Sequence, residues 1–446
     1  MTIRTIDLGQ PGAAHVNSYW AANAGAPVAG TEPLAGDRDV DVAIVGGGYT
    51  GLSTAYHLAR DHGIRAHVLE ANRVGWGCSG RNGGFCSAGI GKEDYSTWIA
   101  RWGAEQARRI YDMSRQAVDT VDGILTREKI DAERTPTGGL ELAHRPNRLG
   151  EMSERCRFLN RQFGVEARMI GRDELERDYL VSREAYGAMH VGEGFALNAL
   201  RYANGLARAA IDYGTVIHEA APVHRIDQEG DRYYLHAQGV VVRAREIVIA
   251  TNGYTNDDLF GRLRGRLLPA LSSILVTRPL TQAELASVNW QTHLKIWDSR
   301  RLVFYYRLLP DNRILFGSRG GIEDTPESNA ERRRWMVRRF GQMFPPLADI
   351  DIEYFWHGWV CIAYDRNPHF GEIPYCRGIH YALAYIGSGV ALATYAGDLL
   401  ARRIAGKEVE YGPLLSRPLP RFPLPALRRT WQRLAYAWYA HKDERT

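Results

Sequence analysis

The segment from Asp39 to Glu70 constrains this chain more than any other. Val42, Ala43, Ile44 and Val45 form a short apolar run, the pattern of a strand buried on both faces. Gly46, Gly48 and Gly51 follow at the G-x-G-x-x-G spacing. The first permits a tight turn, the second removes a side chain where a ligand must approach, and the third lets a helix pack on the strand. A helix over about Thr50 to Arg60, a second strand over Ala66 to Leu69, and Glu70 at its end complete the unit. In this order they predict a dinucleotide site. Its pyrophosphate would lie at the unpaired N–H groups of the helix N-terminus, and its ribose hydroxyls at Glu70.

A second glycine-rich stretch follows, with five glycines between residues 75 and 84. Within Trp76-Gly77-Cys78-Ser79-Gly80-Arg81-Asn82-Gly83-Gly84 the backbone can come close to a large planar or phosphorylated ligand. Arg81 can neutralise a phosphate or an anionic ring, and Asn82 can bond a polar edge. Near the C-terminal end, a strand over Tyr381 to Tyr385, the turn Gly387-Ser388-Gly389 and a helix over Val390 to Ile404 repeat the strand–turn–helix pattern.

Between these units the texture changes. Residues 1–37 read as an arm on the surface, and 38–98 as the nucleotide unit. Residues 99–185 carry charged amphipathic helices such as Ala104 to Lys129, with a strand-like stretch from Gly138 to Ala143. Residues 186–262 return to α/β patterning. They include a hairpin turning at Glu229-Gly230-Asp231 and the strand Ile247 to Ala250, which leads into Thr251-Asn252-Gly253. Residues 263–355 alternate short β runs with turns, including a hairpin from Leu302 to Gly317, and 356–412 return to the nucleotide domain. The expected fold class is therefore α/β. A Rossmann-type domain (38–98, 186–262, 356–412) is interleaved with an α+β substrate domain (99–185, 263–355) built on a mixed or antiparallel sheet.

Bulk properties narrow the function. The formal charge is +5, without a basic block suited to nucleic acid. Five cysteines without a C-x-x-C pair argue against a disulfide framework or a metal site. No signal-peptide pattern or membrane-spanning apolar run is found, and a cytoplasmic location is expected. Residues 413–446 form a basic, proline- and aromatic-rich tail with a helix over Trp431 to Tyr439. Docking on its own domain or on a partner subunit is favoured over peripheral membrane contact, and the oligomeric state is left open.

The Val-Gly-Gly-Gly-Tyr-Thr-Gly turn, the Gly-Arg-Asn-Gly-Gly loop and the interleaved layout resemble the D-amino-acid oxidase superfamily of FAD amine oxidoreductases. Within it the chain looks most like the γ-glutamylputrescine oxidase branch. Asn17-Ser18-Tyr19-Trp20, Trp76 to Gly84, and the hairpin Tyr305-Tyr306-Arg307 to Phe316-Gly317 are the further matches. The resemblance implies that Gly46, Gly48 and Gly51 cradle the FAD pyrophosphate, with Glu70 on the adenosine ribose. Ser79, Arg81, Asn82 and Gly83 would pass near the pyrophosphate and flavin, and the backbone of Val223 would meet the adenine. Gly387, Ser388 and Gly389 would place a helix N-terminus against the flavin pyrimidine ring, with a plain strand-to-helix turn as the competing reading.

The implied reaction oxidises a C–N bond of a small amine or amino acid, a γ-glutamyl polyamine being the leading candidate. The resulting imine hydrolyses, and dioxygen is reduced to hydrogen peroxide. A dehydrogenase using a quinone or carrier protein, and a non-catalytic flavin-binding subunit, are the alternatives. No catalytic acid or base is identified. Tyr305, Arg307 and Trp359 are candidates for substrate contact on β elements expected to roof the flavin, with sheet packing as the competing reading, and His357 is expected to be packed. Phe85-Cys86-Ser87 departs from the branch where a glutamine-like residue is expected in place of Phe85. Cys361 lies a few positions from the cysteine that carries FAD covalently in sarcosine oxidases, so non-covalent FAD is expected.

Overall fold

A computed structural model describes residues 6–445, and it is built on two eight-stranded sheets. The first follows the order His369–Glu372, Ile379–Leu383, Val240–Ile249, Arg38–Val45, Ala66–Leu69, Val216–His218. The hairpin Val223–Glu229 and Arg232–Ala237 is attached to Val240–Ile249. Arg38–Val45 is central, with Ile44 in register between Val248 and Val68 in two parallel pairings. All four of Val42, Ala43, Ile44 and Val45 are buried, as the continuous apolar run requires.

The helix expected after the first glycine turn spans Tyr49–His62. It ends at Gly63, whose φ of 64° lets its N–H reach Ala59 O while Ile64 N–H reaches Leu58 O. Helices Ala199–Asp212 and Gly389–Ile404 pack beside it, the latter closely enough that Ser53 Oγ donates to Thr394 O at 2.6 Å.

The second sheet runs Ile352–Ile362, Leu268–Thr277, Ile314–Gly321, Phe304–Leu308, Lys295–Asp298, Gly139–Leu142, Ala188–Val191, Ala167–Ile170. Its pairings are antiparallel except that between Lys295–Asp298 and Gly139–Leu142, which makes it mixed. The Rossmann-type sheet interleaved with a β-rich second domain is the architecture expected.

Two boundaries and the packing of one helix differ from expectation. Those placed at 186 and 356 cut into the second sheet, because Ala188–Val191 pairs with Gly139–Leu142 and Ile352–Ile362 pairs with Leu268–Thr277. The long helix, Ala104–Arg127, packs against Gly389–Ile404 of the first layer, where Tyr395 OH donates to Gln116 Oε1 at 2.9 Å.

The arm is also not confined to the surface. Ser18 caps the short helix Tyr19–Ala22, and Trp20 is fully buried, its indole donating to Asn82 O at 2.8 Å. Asn72 Nδ2 donates to Leu8 O at 2.7 Å, and Trp76 Nε1 to Ala14 O at 2.9 Å. The arm therefore braces the glycine-rich loop from outside.

Candidate active site

One cavity of about 850 Å³ runs from the glycine turn of the first sheet to the face of the second. That volume lies in the range of about 300–1,000 Å³ usual for small-molecule and cofactor sites. Gly46, Gly48, Glu70, Ser79, Arg81, Asn82, Gly83, Val223, Gly387, Ser388 and Gly389 all line it, although their positions span most of the chain. Gly51 lies just behind them. A β-carbon there would overlap Gly46 O, so Gly51 sets how tightly the turn wraps onto the helix. Gly387 has a φ of 107°, and a β-carbon on it would overlap the Arg319 guanidinium.

Glu70 is buried, and both of its oxygens are engaged. Oε2 accepts from Gly47 N–H at 2.7 Å and Oε1 from Asn72 N–H at 3.0 Å. Burial raises its carboxyl from 4.5 to about 7 despite these two bonds. Glu70 thus holds the glycine turn in shape as well as facing the cavity.

The loop after it is self-supporting. Asn82 Nδ2 donates to Cys78 O and Ser79 O at 3.1 and 2.9 Å, and its Oδ1 accepts from Gly84 N–H at 2.7 Å. The Asn82 side chain therefore shapes the loop, and its expected bond to a polar ligand edge has little capacity left. Ser79 Oγ accepts the Tyr49 N–H at 2.9 Å, at the first residue of the helix.

Arg81 is the group most clearly waiting for a ligand. Its Nε donates to Trp76 O at 2.7 Å, and its guanidinium lies 4.0 Å from the Trp76 ring centroid. Its Nη2 is buried without a partner. A buried guanidinium N–H is costly unless an acceptor arrives, and a phosphate or ring carbonyl oxygen meets that need. Arg81→Met is expected to lower FAD affinity about 10- to 100-fold, the worth of one charge-assisted bond. Equilibrium dialysis of the apoprotein checks this, and an unchanged affinity would remove Arg81 from the site.

On the second sheet, Tyr305 faces the cavity. Its hydroxyl lies 2.8 Å from Ser272 Oγ, its ring lies against Gly83 and Gly317, and burial pushes the phenol up to about 12. The other two substrate candidates are not in the lining. On strand Ile352–Ile362, Gly358 and Val360 face the cavity, so Trp359 between them points away, into a cluster with Ile6 and Leu271. Arg307 shares a face with Tyr305 but lies beyond the cavity's end. There its Nη2 donates to Leu197 O at 2.7 Å and its guanidinium covers Trp20 at 5.3 Å. His357 is half-buried, with Nε2 2.9 Å from Asp324 Oδ1. Phe85 and Ser87 face the cavity, whereas Cys86 is buried beside Phe195.

Arg319 and Lys295 line the cavity without a local signal, and Asn252 belongs to the turn expected after the strand ending at Ala250. Arg319 donates from Nη2 to Ile386 O at 2.7 Å, beside the N-terminus of helix Gly389–Ile404. Lys295 is 1% exposed and donates to Cys86 O and Glu193 O, each at 3.0 Å, tying the loop after the glycine-rich stretch to the second sheet. Burial lowers its ammonium to about 8. Asn252 joins two turns through Ala384 N–H, at 2.9 Å from its Oδ1.

Comparison with known proteins agrees with this geometry. The family model DAO, FAD dependent oxidoreductase, matches residues 41–403. A probable oxidoreductase OrdL of Haemophilus influenzae is 31% identical over 382 residues, covering 84% of this chain and 85% of its own length. The γ-glutamylputrescine oxidoreductase of Escherichia coli is 30% identical over 432 residues, with 96% of this chain and 98% of its own length covered. The fold is shared with the crystal structure of glycine oxidase from Geobacillus kaustophilus. That match has a TM-score of 0.71 at 21% identity and covers 86% of this chain and 99% of that one. With its glycine turns, the unpaired Nη2 of Arg81 and one cavity spanning both sheets, the chain belongs to the DAO family of FAD-dependent oxidoreductases.

Proposed function

We propose that the protein is an amine oxidase that converts a C–N bond of a small amine or amino acid to an imine, with dioxygen as the electron acceptor. The observation that carries this reading is the continuity of the cavity. The glycine turns that suit FAD open without a break onto Tyr305, Trp297 and Lys295 of the second sheet. FAD, when bound, supplies hydride acceptance from the substrate carbon next to nitrogen. Gly46, Gly48, Ser79, Arg81 and Glu70 would hold its pyrophosphate and ribose, and the backbone of Val223 its adenine. Gly387 to Gly389 and Arg319 would sit at its redox end. There a helix N-terminus and a guanidinium both favour negative charge.

The remaining residues orient the substrate and exclude water. A buried site favours the neutral amine that this chemistry needs. A γ-glutamyl polyamine is the leading substrate. The E. coli relative supports it, and the cavity lining includes Glu93, Asp94, Glu141 and Glu193 alongside Lys92, Arg155 and Lys295. Five free thiols suit the reducing cytoplasm.

Flavin is held without a covalent bond in this reading. Cys361 lies in the cavity wall, but burial pushes its thiol up to about 12, and a protonated thiol is a poor nucleophile. The mass of the denatured protein is expected to equal that of the chain alone, and an increase equal to FAD would refute it. Anaerobic bleaching across an amine panel, followed by peroxide measurement in air, tests the function. No bleaching with any amine, or turnover only with an artificial acceptor, would overturn the oxidase reading.

A further inference from the structure

The tail helix, Arg428–Arg445, docks on the body through its polar side. Arg428 is buried and paired with Asp257, and Arg429 reaches Pro269 O and covers the Trp359 ring at 5.2 Å. Gln432 is buried, and Asp443 accepts from the N–H groups of Arg301 and Leu302 at 2.9 Å each. Its apolar side therefore faces outward, the reverse of an ordinary amphipathic helix on a protein surface.

Leu427, Trp431, Leu434 and Trp438 recur at intervals of four, three and four residues, so they form one stripe about 16 Å long. Their exposures are 41%, 56%, 58% and 49%, and Leu424 before the helix is 65% exposed. These five are among only nine large hydrophobic residues exposed among the described residues, so the clustering is not general surface scatter.

We propose that this stripe seats the protein on an anionic lipid surface, a property independent of its oxidation chemistry. Two observations select lipid. The first is charge. Residues 413–446 carry seven Lys or Arg against two Asp or Glu, and of the seven Arg417, Arg428 and Arg433 are paired with Asp365, Asp257 and Glu323 of the body. Exposed Arg421 lies near the Leu424 end, and Arg301 and Lys442 lie 5.2 and 5.8 Å from the Trp438 ring at the other. Cations thus border the stripe where headgroups would meet it. The second is composition: two tryptophans beside leucines, flanked by arginine, suit the boundary between headgroups and acyl chains. A second copy is disfavoured, because joining two stripes would bring two positive tails together.

The experiment is flotation of full-length, flavin-loaded protein with phosphatidylcholine vesicles, with and without phosphatidylglycerol. The protein is expected to float only with the anionic vesicles, to show a blue-shifted tryptophan emission there, and to be released by high salt. The double variant Trp431→Ser, Trp438→Ser is expected to bind about tenfold or more weakly. Both indoles are exposed, so its flavin spectrum and thermal midpoint should match the parent. Failure to float, equal flotation by the double variant, or a stripe-dependent dimer in sedimentation that does not bind vesicles would each overturn the proposal.

Discussion

Gly51→Ala is expected to purify without flavin. The added β-carbon has no free volume, since it would overlap the carbonyl oxygen of Gly46 and press on Ile44 Cγ2 at 3.0 Å. Either the helix lifts from the strand or the turn opens. Both move the N-terminal N–H groups away from where a pyrophosphate must sit. Overpacking of this kind costs about 1–3 kcal/mol, which corresponds to roughly 10- to 100-fold in FAD affinity if it falls on binding. Gly63→Ala is the control. Its β-carbon meets nothing within 4 Å, but its φ of 64° disfavours a side chain. It should lower the thermal midpoint through about 1 kcal/mol of strain and keep the flavin. The visible absorbance of purified protein, set against its thermal midpoint, separates the two effects. Stoichiometric flavin in Gly51→Ala would show that the turn does not hold the cofactor.

The second large effect is a pH dependence carried by Glu70. Its carboxyl is raised from 4.5 to about 7, mainly by burial. A raised carboxyl binds its proton more tightly in the folded state. The stabilisation is therefore complete below about 4.5 and is lost as pH rises through about 7. The apoprotein is expected to lose up to about 3 kcal/mol across this window relative to Glu70→Gln, which cannot ionise. The comparison is made as a difference because half-buried histidines act in the opposite direction. His15 and His67, lowered to about 4 by burial, cost stability as they charge in acid. They contribute equally to both proteins and cancel. Ribose hydroxyls donating to Glu70 would favour its charged form. FAD should thus bind more tightly as pH rises from about 5 to about 7 in the parent, and with a flatter profile in Glu70→Gln. Parallel midpoint-against-pH curves for the two apoproteins would exclude Glu70 as the source.

Much of the cofactor side was readable because its chemistry is local. A strand, three glycines, a helix start and an acid lie within 32 residues, and each constrains the backbone directly. The segment alternation was readable for the same reason, as apolar strand runs and helical periodicity change with domain. The substrate side was harder because its meaning depends on register. Trp359 and Gly358 are neighbours in sequence but face opposite sides of one strand. Periodicity assigns the alternation but not which side meets the cavity. Tyr305 and Arg307 share a face, yet Tyr305 lines the cavity while Arg307 lies outside it, against Trp20 from the arm. Lys295–Asp298 pairs in parallel with Gly139–Leu142 across more than 150 residues, which leaves no local trace at Lys295. Arg319 is one of many arginines, and only its bond to Ile386 O sets it apart.

The interleaved sheets also bear on how the enzyme is made. Arg38–Val45 gains one parallel neighbour from Ala66–Leu69 soon after it is synthesised, but its other edge waits for Val240–Ile249. That strand in turn waits for Ile379–Leu383, and the turn at Gly387 to Gly389 comes later still. Contacts of such sequence separation form slowly. The ribosome must therefore release nearly the whole chain before a complete cradle exists, and flavin capture becomes one of the last events of biogenesis. A nascent chain stalled short of Gly389 would be expected to remain colourless.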